Sequence, residues 1–556
     1  MRYRALNIIM LTTLATSLFA QVRREDNRFI MFFAKDLDAT AMDRNGALLA
    51  GTECNNIVAH DGKVWAAVSW MNPRDRQVDP KVLVKKSAAA GWEVDHSFGD
   101  TYSRIGMLKS VSFTTDARGN PLSPPARVLI AGLGQWLYLN FTDVRVASRN
   151  DITGRWHVDT LSHDPWFPDS SNDNNETRTV FDHVDRVTGI HHVFTGANNG
   201  SIYRGSYDAT KPGLIAWDTI PEIGKMWGRT QCAAEANGVL YVGVVSQTDN
   251  PLAERGPLFL RIDGPQPRWE VVPIPAWLNP ADTTKTTRMG GMRGLTSVKY
   301  SDGSESEFLL CFQTEPPIME KIEPVFGYRT STELDVRAFF TKEWGGSPGV
   351  YLVVGYNDMT PVRHPATGES ALLMGAWLRH PDGESSELGK SSWYLIRDTA
   401  GRYSYSRIHA ADDPLAVRTY GLRGTRAICP SPFPEEAGRI FYCGGFDQTG
   451  AAWGNHVWLY KGTLDAPSTG SQEAPSPHDQ LTIHPNPCTN TLTVSNLSPQ
   501  SAGTVVVSDL LGRIVSRAEY RGTSFQVDAR HLVAGMYMIQ LFTDNGRILT
   551  KTLVKQ

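Results

Sequence analysis

Five basic residues stand at about the same distance before a turn in successive stretches of the chain: Lys109, Arg178, Arg229, Arg293 and Arg423. Glu53 takes the same place in the first stretch. Five cations brought to one cavity repel one another unless something negative lies among them. An anionic ligand would serve, such as a carboxylated or sulfated glycan or a phosphate gripped by bidentate arginine contacts. Internal pairing with Glu53, Glu176, Asp182 and Glu235 would serve equally. Glu53, Asp182 and Glu235 are also the acid/base candidates for a hydrolase or lyase acting on polysaccharide. Asp169, Ser171 and Asp173 space oxygen ligands two apart, as calcium favours, although Asn174 stands where an EF-hand loop needs glycine. Calcium is thus the one cofactor candidate. No GxSxG elbow, HExxH, P-loop or GxGxxG occurs in a fitting context.

These residues need a scaffold that repeats. A short strand ending in a basic residue recurs with Lys85, Arg149, Arg204, Arg261, Lys321, Arg397 and Lys461 at its end. A turn and an aromatic strand follow in most cases, at Trp92, Trp156, Trp217, Trp269 and Tyr403. A strand-turn-strand signal precedes each, with turn pairs such as Asp61-Gly62, Asn237-Gly238 and Asp302-Gly303. Four antiparallel strands repeated about seven times in series describe a β-propeller. The seventh unit lacks a fourth strand. The orphan run 28–37 would complete it and close the ring, which hides the open edges. Each unit averages about 63 residues against roughly 40–45 for ordinary blades. The surplus predicts long loops at 160–176, 275–290, 325–345 and 357–390, the usual place for binding. First strands line the axis of a propeller, so the basic register should converge at one mouth.

The 556 residues are 20% charged and 41% hydrophobic, with 55 basic and 58 acidic side chains. A net charge of −3 argues against nucleic acid held by bulk charge. The counts of Gly 49, Pro 33 and Trp 15 lean toward an all-β chain with many turns. Residues 1–20 read as a signal peptide: Arg2 and Arg4, an apolar stretch, then Gln21. The mature chain has no transmembrane span. The propeller then covers 21–464, a Pro/Ser/Gly-rich linker 465–478, and a small Ig-like β-sandwich 479–556.

That last segment carries Pro485-Asn486-Pro487, Asp509-Leu510-Leu511-Gly512-Arg513, Leu532-Val533-Ala534-Gly535-Met536-Tyr537 and a Lys551–Gln556 ending. In this order it resembles the type A C-terminal sorting domain of the type IX secretion system of Bacteroidetes. The resemblance implies the type IX machinery as a partner and export across the outer membrane to the cell surface or the medium. Two turns, Ser148–Trp156 and Asp398–Tyr403, resemble degenerate Asp boxes of sialidase-like propellers, where the aspartate caps a hairpin. They bear on fold and not on activity.

Six cysteines make no dense framework. Cys54, Cys232 and Cys429 fall in separate units. Folding the hairpin about Glu436 sets Cys429 and Cys443 nearly opposite, where a disulfide could form, and a one-residue slip puts them on opposite faces. The expectation is an exported propeller that binds an extracellular ligand, first an anionic glycan. The alternatives are a glycan hydrolase or lyase, or a structural or protein-interaction module.

Overall fold

The computed structural model describes residues 31–70, 79–134, 143–163, 176–224, 228–246, 258–272, 292–298, 307–312, 318–323, 328–354, 359–379 without 366, 390–408, 424–446, 457–464, 482–495, 502–509, 514–543 and 548–556. Contacts divide the chain into two compact units, Met1–Ala466 and Pro467–Gln556.

Among the described residues, seven antiparallel sheets follow one another in the first unit. Blade 1 runs Glu53–His60, Lys63–Ser69, Lys81–Lys85, Glu93–Ser97. The first strands of blades 2 to 7 are Arg104–Thr115, Thr177–Val184, Gly228–Ala236, Met292–Val298, Gly349–Val353 and Thr425–Pro430. From blade 7 through blades 1 to 5, each first strand packs against the next, which places them around the axis. The fourth strand of blade 7 is Met31–Lys35, paired antiparallel with Trp458–Leu464 from the far end of the unit. The orphan run closes the ring, and Trp458–Leu464 is thereby covered rather than left as an open edge. Two of the predicted loops hold elements instead. Within 325–345 lie the fourth strand of blade 5, Arg329–Asp335, and a helix, Val336–Trp344. Within 357–390 lie Thr360–Arg363 and Ser370–Arg379 of blade 6.

The repeated basic and aromatic residues have a shared task that the sequence pattern conceals. At four junctions a carboxylate at the outer strand of one blade accepts from both residues of the next. Asp36 takes Lys85 Nζ at 3.1 Å and Trp92 Nε1 at 2.7 Å. Asp95 takes two bonds of 3.0 Å from Arg149, and Trp156 Nε1 at 2.8 Å. Glu222 takes two of 3.0 Å from Arg261, and Trp269 Nε1 at 3.0 Å. Glu333 takes Arg397 at 2.5 and 2.8 Å and the Tyr403 hydroxyl at 2.6 Å. Fork-to-fork pairing fixes the angle between sheets as well as their contact. Apolar faces fill the rest of each junction: Ile57, Val64 and Leu83 of blade 1, for example, meet Ala427, Tyr442 and Leu459 of blade 7.

Both box-like turns are capped by an oxygen side chain. Asp398 Oδ1 accepts from Ala400 N and Arg402 N at 2.9 Å, with Gly401 at φ 74°. In the other, Asn150 does the capping, at 3.1 and 3.2 Å, and Asp151 is freed to bond His60. Cys429 pairs with Tyr442 while Cys443 pairs with Ile428. The one-residue offset sends the two thiols to different cores, and they form no disulfide. Cys54 and Cys232 are buried in blades 1 and 4 and in no disulfide.

The second unit is a sandwich of a three-stranded and a four-stranded sheet. Leu492, Val494, Val505, Val507, Ile539, Leu541 and Leu553 fill it.

Candidate functional site

Every first strand carries a β-bulge at the same place. The extra residues are Asn55, Gly106, Arg178, Gln231, Arg293, Tyr351 and Arg426, in blades 1 to 7. A bulge re-aims a side chain out of the alternating pleat. Here it marks one equivalent backbone position in each blade. Two residues before it stand Glu53, Arg104, Glu176 and Arg229 in blades 1 to 4.

Those two positions build one charge cluster. Arg104 Nε is 2.7 Å from Glu53 Oε1 and 3.4 Å from Glu176 Oε1. Arg178 Nη2 is 2.8 Å from Glu176 Oε2, and Arg426 Nη2 is 3.7 Å from Glu53 Oε2. Asn55 Nδ2 donates to Ile105 O at 2.8 Å and braces Glu53. Glu53 and Glu176 are fully buried, Arg104, Arg178 and Arg426 nearly so; Arg229 and Arg293 are half-buried. Burial, and next the charge of Arg178, push the Arg229 guanidinium well below the usual arginine range; Arg293 and Arg104 act the same way and Glu176 opposes them. Gly106 leaves room for this arrangement. A Cβ there would lie 2.4 Å from Thr177 O and 2.7 Å from Glu176 Oε1. Glu176 thus occupies the place that a bulge side chain would fill in blade 2.

The structure brings together Arg178, Arg229, Arg293 and Glu53 of the sequence-predicted residues. It adds Arg104, Arg426 and Gln231, which the repeat alignment missed because an inserted residue resets the register within a strand. Lys109 lies three positions past its bulge; its ammonium is 3.5 Å from Asp182. Asp182 also meets His191 Nε2 at 3.2 Å. Glu235 Oε1 bonds His183 Nδ1. Asp182 and Glu235 sit four past the bulge and Glu53 two before it, about 20 Å apart along the strand direction. The three carboxylates therefore do not share one network. Arg423, Asp169, Ser171 and Asp173 lie outside the described residues. Among the described residues no group of acidic, histidine and cysteine side chains has metal-binding geometry.

A second charged array crosses the 1/2 and 3/4 junctions. His60 Nδ1 is 2.7 Å from Ser110 Oγ and its Nε2 2.7 Å from Asp151 Oδ2. This has the make-up of a hydrolase triad. The equivalent positions at the other junction are Glu235, His183 and Asp263, with His183 Nε2 3.0 Å from Asp263 Oδ1. Glutamate in the serine's place marks the array as an inter-blade clasp. Burial opposes charging of His183, but the Glu235 hydrogen bond and the Asp263 charge outweigh it, and its pKa stands above the ordinary histidine value. A raised folded pKa stabilises below the unfolded value of about 6.5, and that stability is lost as pH rises through the folded pKa. His183→Ala should therefore lower the melting temperature most near about pH 5.5 and progressively less toward about pH 9. A gap between parent and variant that widens with pH would contradict the assignment.

In the second unit, motifs far apart in sequence meet. Asp509 pairs with Tyr537, Tyr537 with Leu553, and Gly535 with Lys555. Asn486 Oδ1 accepts from Val554 N at 2.8 Å, and Cys488 exchanges backbone bonds with Val554 and Gln556 at 2.8 Å. Pro485 and Pro487 each follow a cis peptide on either side of Asn486. The Tyr537 hydroxyl donates to Val533 O at 2.7 Å and closes the turn between them. Gly512 and Arg513 lie outside the described residues. The C-terminal strand is thus pinned at its end by the first motif and paired with the third.

The sequence from Thr482 to the end matches the family described as secretion system C-terminal sorting domain. Residues 482–556 are a secretion-system sorting domain. The sorting domain addresses the chain for export across the outer membrane to the cell surface or the medium. The described residues contain no helix long and apolar enough to cross a membrane. No curated protein matches the sequence. Among solved structures, the chain is similar to PorZ, an essential surface component of the type IX secretion system of Porphyromonas gingivalis. Identity is 12% with a TM-score of 0.36, over 91% of this chain and 59% of that one. The chain thus spans less than two thirds of that relative's length. It is also similar to an α-L-arabinanase of Penicillium chrysogenum, at 11% identity and TM-score 0.36, over 79% of this chain and 98% of that one. The α-L-arabinofuranosidase of Fusarium graminearum gives 9% and 0.33, over 78% and 98%. Likeness at this level carries no statement about activity.

Proposed function

We propose that the exported propeller binds an anionic ligand, foremost an anionic glycan, at the arginine cluster on its axis. One observation carries the reading: among the described residues, Arg104, Arg178 and Arg426 pair with two buried glutamates, Glu53 and Glu176, and Arg229 and Arg293 lie beside that cluster. Arg229 and Arg293 are the half-buried members of the cluster, the ones that solvent partly reaches. Burying like charges together is costly, and an anion held by their forks offsets that cost. A sorting domain delivers the chain to where polysaccharides and surface glycans are met.

The test is Arg229→Ala combined with Arg293→Ala in the whole protein, probed on an array of carboxylated and sulfated glycans. Binding by the parent and a loss of at least about tenfold in the double variant is the expected result. A parent that binds no anionic glycan, or a variant that binds as well, overturns the proposal.

A further inference from the structure

Gln231 is the extra residue of the blade 4 bulge, the position that Arg178 holds in blade 3 and Arg293 in blade 5. Its chain neighbours turn to the flanking sheets. Thr230 packs over Gly196 of blade 3, and Cys232 lies beside Met292 of blade 5. The bulge sends the amide between them, toward the axis. Gln231 is 2% exposed, and neither Oε1 nor Nε2 has a hydrogen-bond partner. Burying each without one is costly, and native interiors rarely tolerate it without a ligand or an ordered water. Its counterparts in the flanking blades, Arg178 and Arg293, are arginines, so the unsatisfied amide belongs to the same layer as the axial arginines.

An amide has one acceptor and two donor hydrogens. A carboxylate, an ionised phosphate or a sulfate has acceptors alone. Such a group satisfies Nε2 and sets its charge against Oε1. A ligand that carries a hydroxyl donor close to its charge satisfies both atoms. We propose that Gln231 is a specificity-determining residue of the axial site, and that the site takes a sugar acid: a hexuronate whose carboxylate lies on Arg229 and Arg293 and whose ring hydroxyl donates to Gln231. This rests on the axial cluster being an anion site. It adds that the site distinguishes a hydroxylated ring carboxylate from a bare one. Sites built to bond a hydroxyl reject analogues lacking it, because their own polar atoms are then left unpaired.

Calorimetry on the whole protein with a galacturonate trimer, cyclohexanecarboxylate and inorganic sulfate tests this. The parent should prefer the trimer over cyclohexanecarboxylate by at least about tenfold, or about 1.4 kcal/mol. Gln231→Leu, close in shape, should still bind but lose that preference. Its melting temperature without ligand should be no lower than the parent's, since no protein partner is lost. A retained preference in Gln231→Leu, or a lowered melting temperature, overturns the assignment to Gln231. Binding of sulfate or of either carboxylate without discrimination leaves the anion site standing and overturns the sugar-acid reading. A parent that binds none of the three sinks both.

Discussion

Glu53→Ala is expected to destabilise the propeller by about 3–5 kcal/mol, the cost of removing one partner from a buried ion pair. Glu53 is fully buried and is the carboxylate within 4 Å of both Arg104 and Arg426. Without it, Arg426 loses that carboxylate, and Arg104 keeps Glu176 at 3.4 Å, which Arg178 also holds. Little solvent reaches Arg104 and Arg426 to replace the lost charge. Denaturant unfolding of parent and variant measures the difference. A change under about 1 kcal/mol would show that the cluster is better hydrated than its burial indicates. Glu53→Gln separates the charge from the shape. It keeps the volume and one acceptor, so a loss nearly as large as that of alanine assigns the effect to the charge.

Removal of residues 31–36 should have the larger effect. It takes away the whole fourth strand of blade 7 and leaves Trp458–Leu464 as an open edge. It also removes Asp36, the acceptor shared by Lys85 and Trp92 at the 7/1 junction. Phe33, packed against the blade 6 and 7 core, is lost with it. An unpaired edge on a sheet of this kind templates pairing with other chains. The expected outcome is loss of a cooperative melting transition and appearance of aggregates in size-exclusion chromatography. Asp36→Ala alone, which keeps the strand, should lower the melting temperature and leave the protein monodisperse. A truncated chain that melts within about 2 °C of the parent would mean that ring closure contributes little.

The two substitutions also separate what can be read along the chain from what cannot. The run 28–37 was legible as the missing piece of blade 7, because an apolar run with no local partner must find a distant one. The basic and aromatic repeat positions were legible for the same reason: seven similar units place similar residues in similar surroundings. Their partners were not. Asp36, Asp95, Glu222 and Glu333 belong to the preceding blade in each clasp, at positions that do not repeat at a fixed interval.

The axial cluster shows the limit most sharply. Arg178 and Arg293 are bulge residues and Arg229 lies two before its bulge, so one shared distance from the turn does not describe them. Lys109 kept that distance and fell on the wrong side of the bulge, opposite Asp182. Arg104 broke it and joined the cluster.

Composition, spacing and turn chemistry by themselves determined an all-β chain, a repeated four-stranded unit, closure through the N-terminal strand and a sorting domain at the end. Those properties follow from local periodicity, which each segment carries within itself. Only the tertiary structure decided which charges meet. A single inserted residue reverses the faces of everything after it in a strand, and it leaves no mark in composition. The arginine cluster, the buried amide of Gln231 and the glycine at 106 exist because seven bulges fall in one layer around an axis.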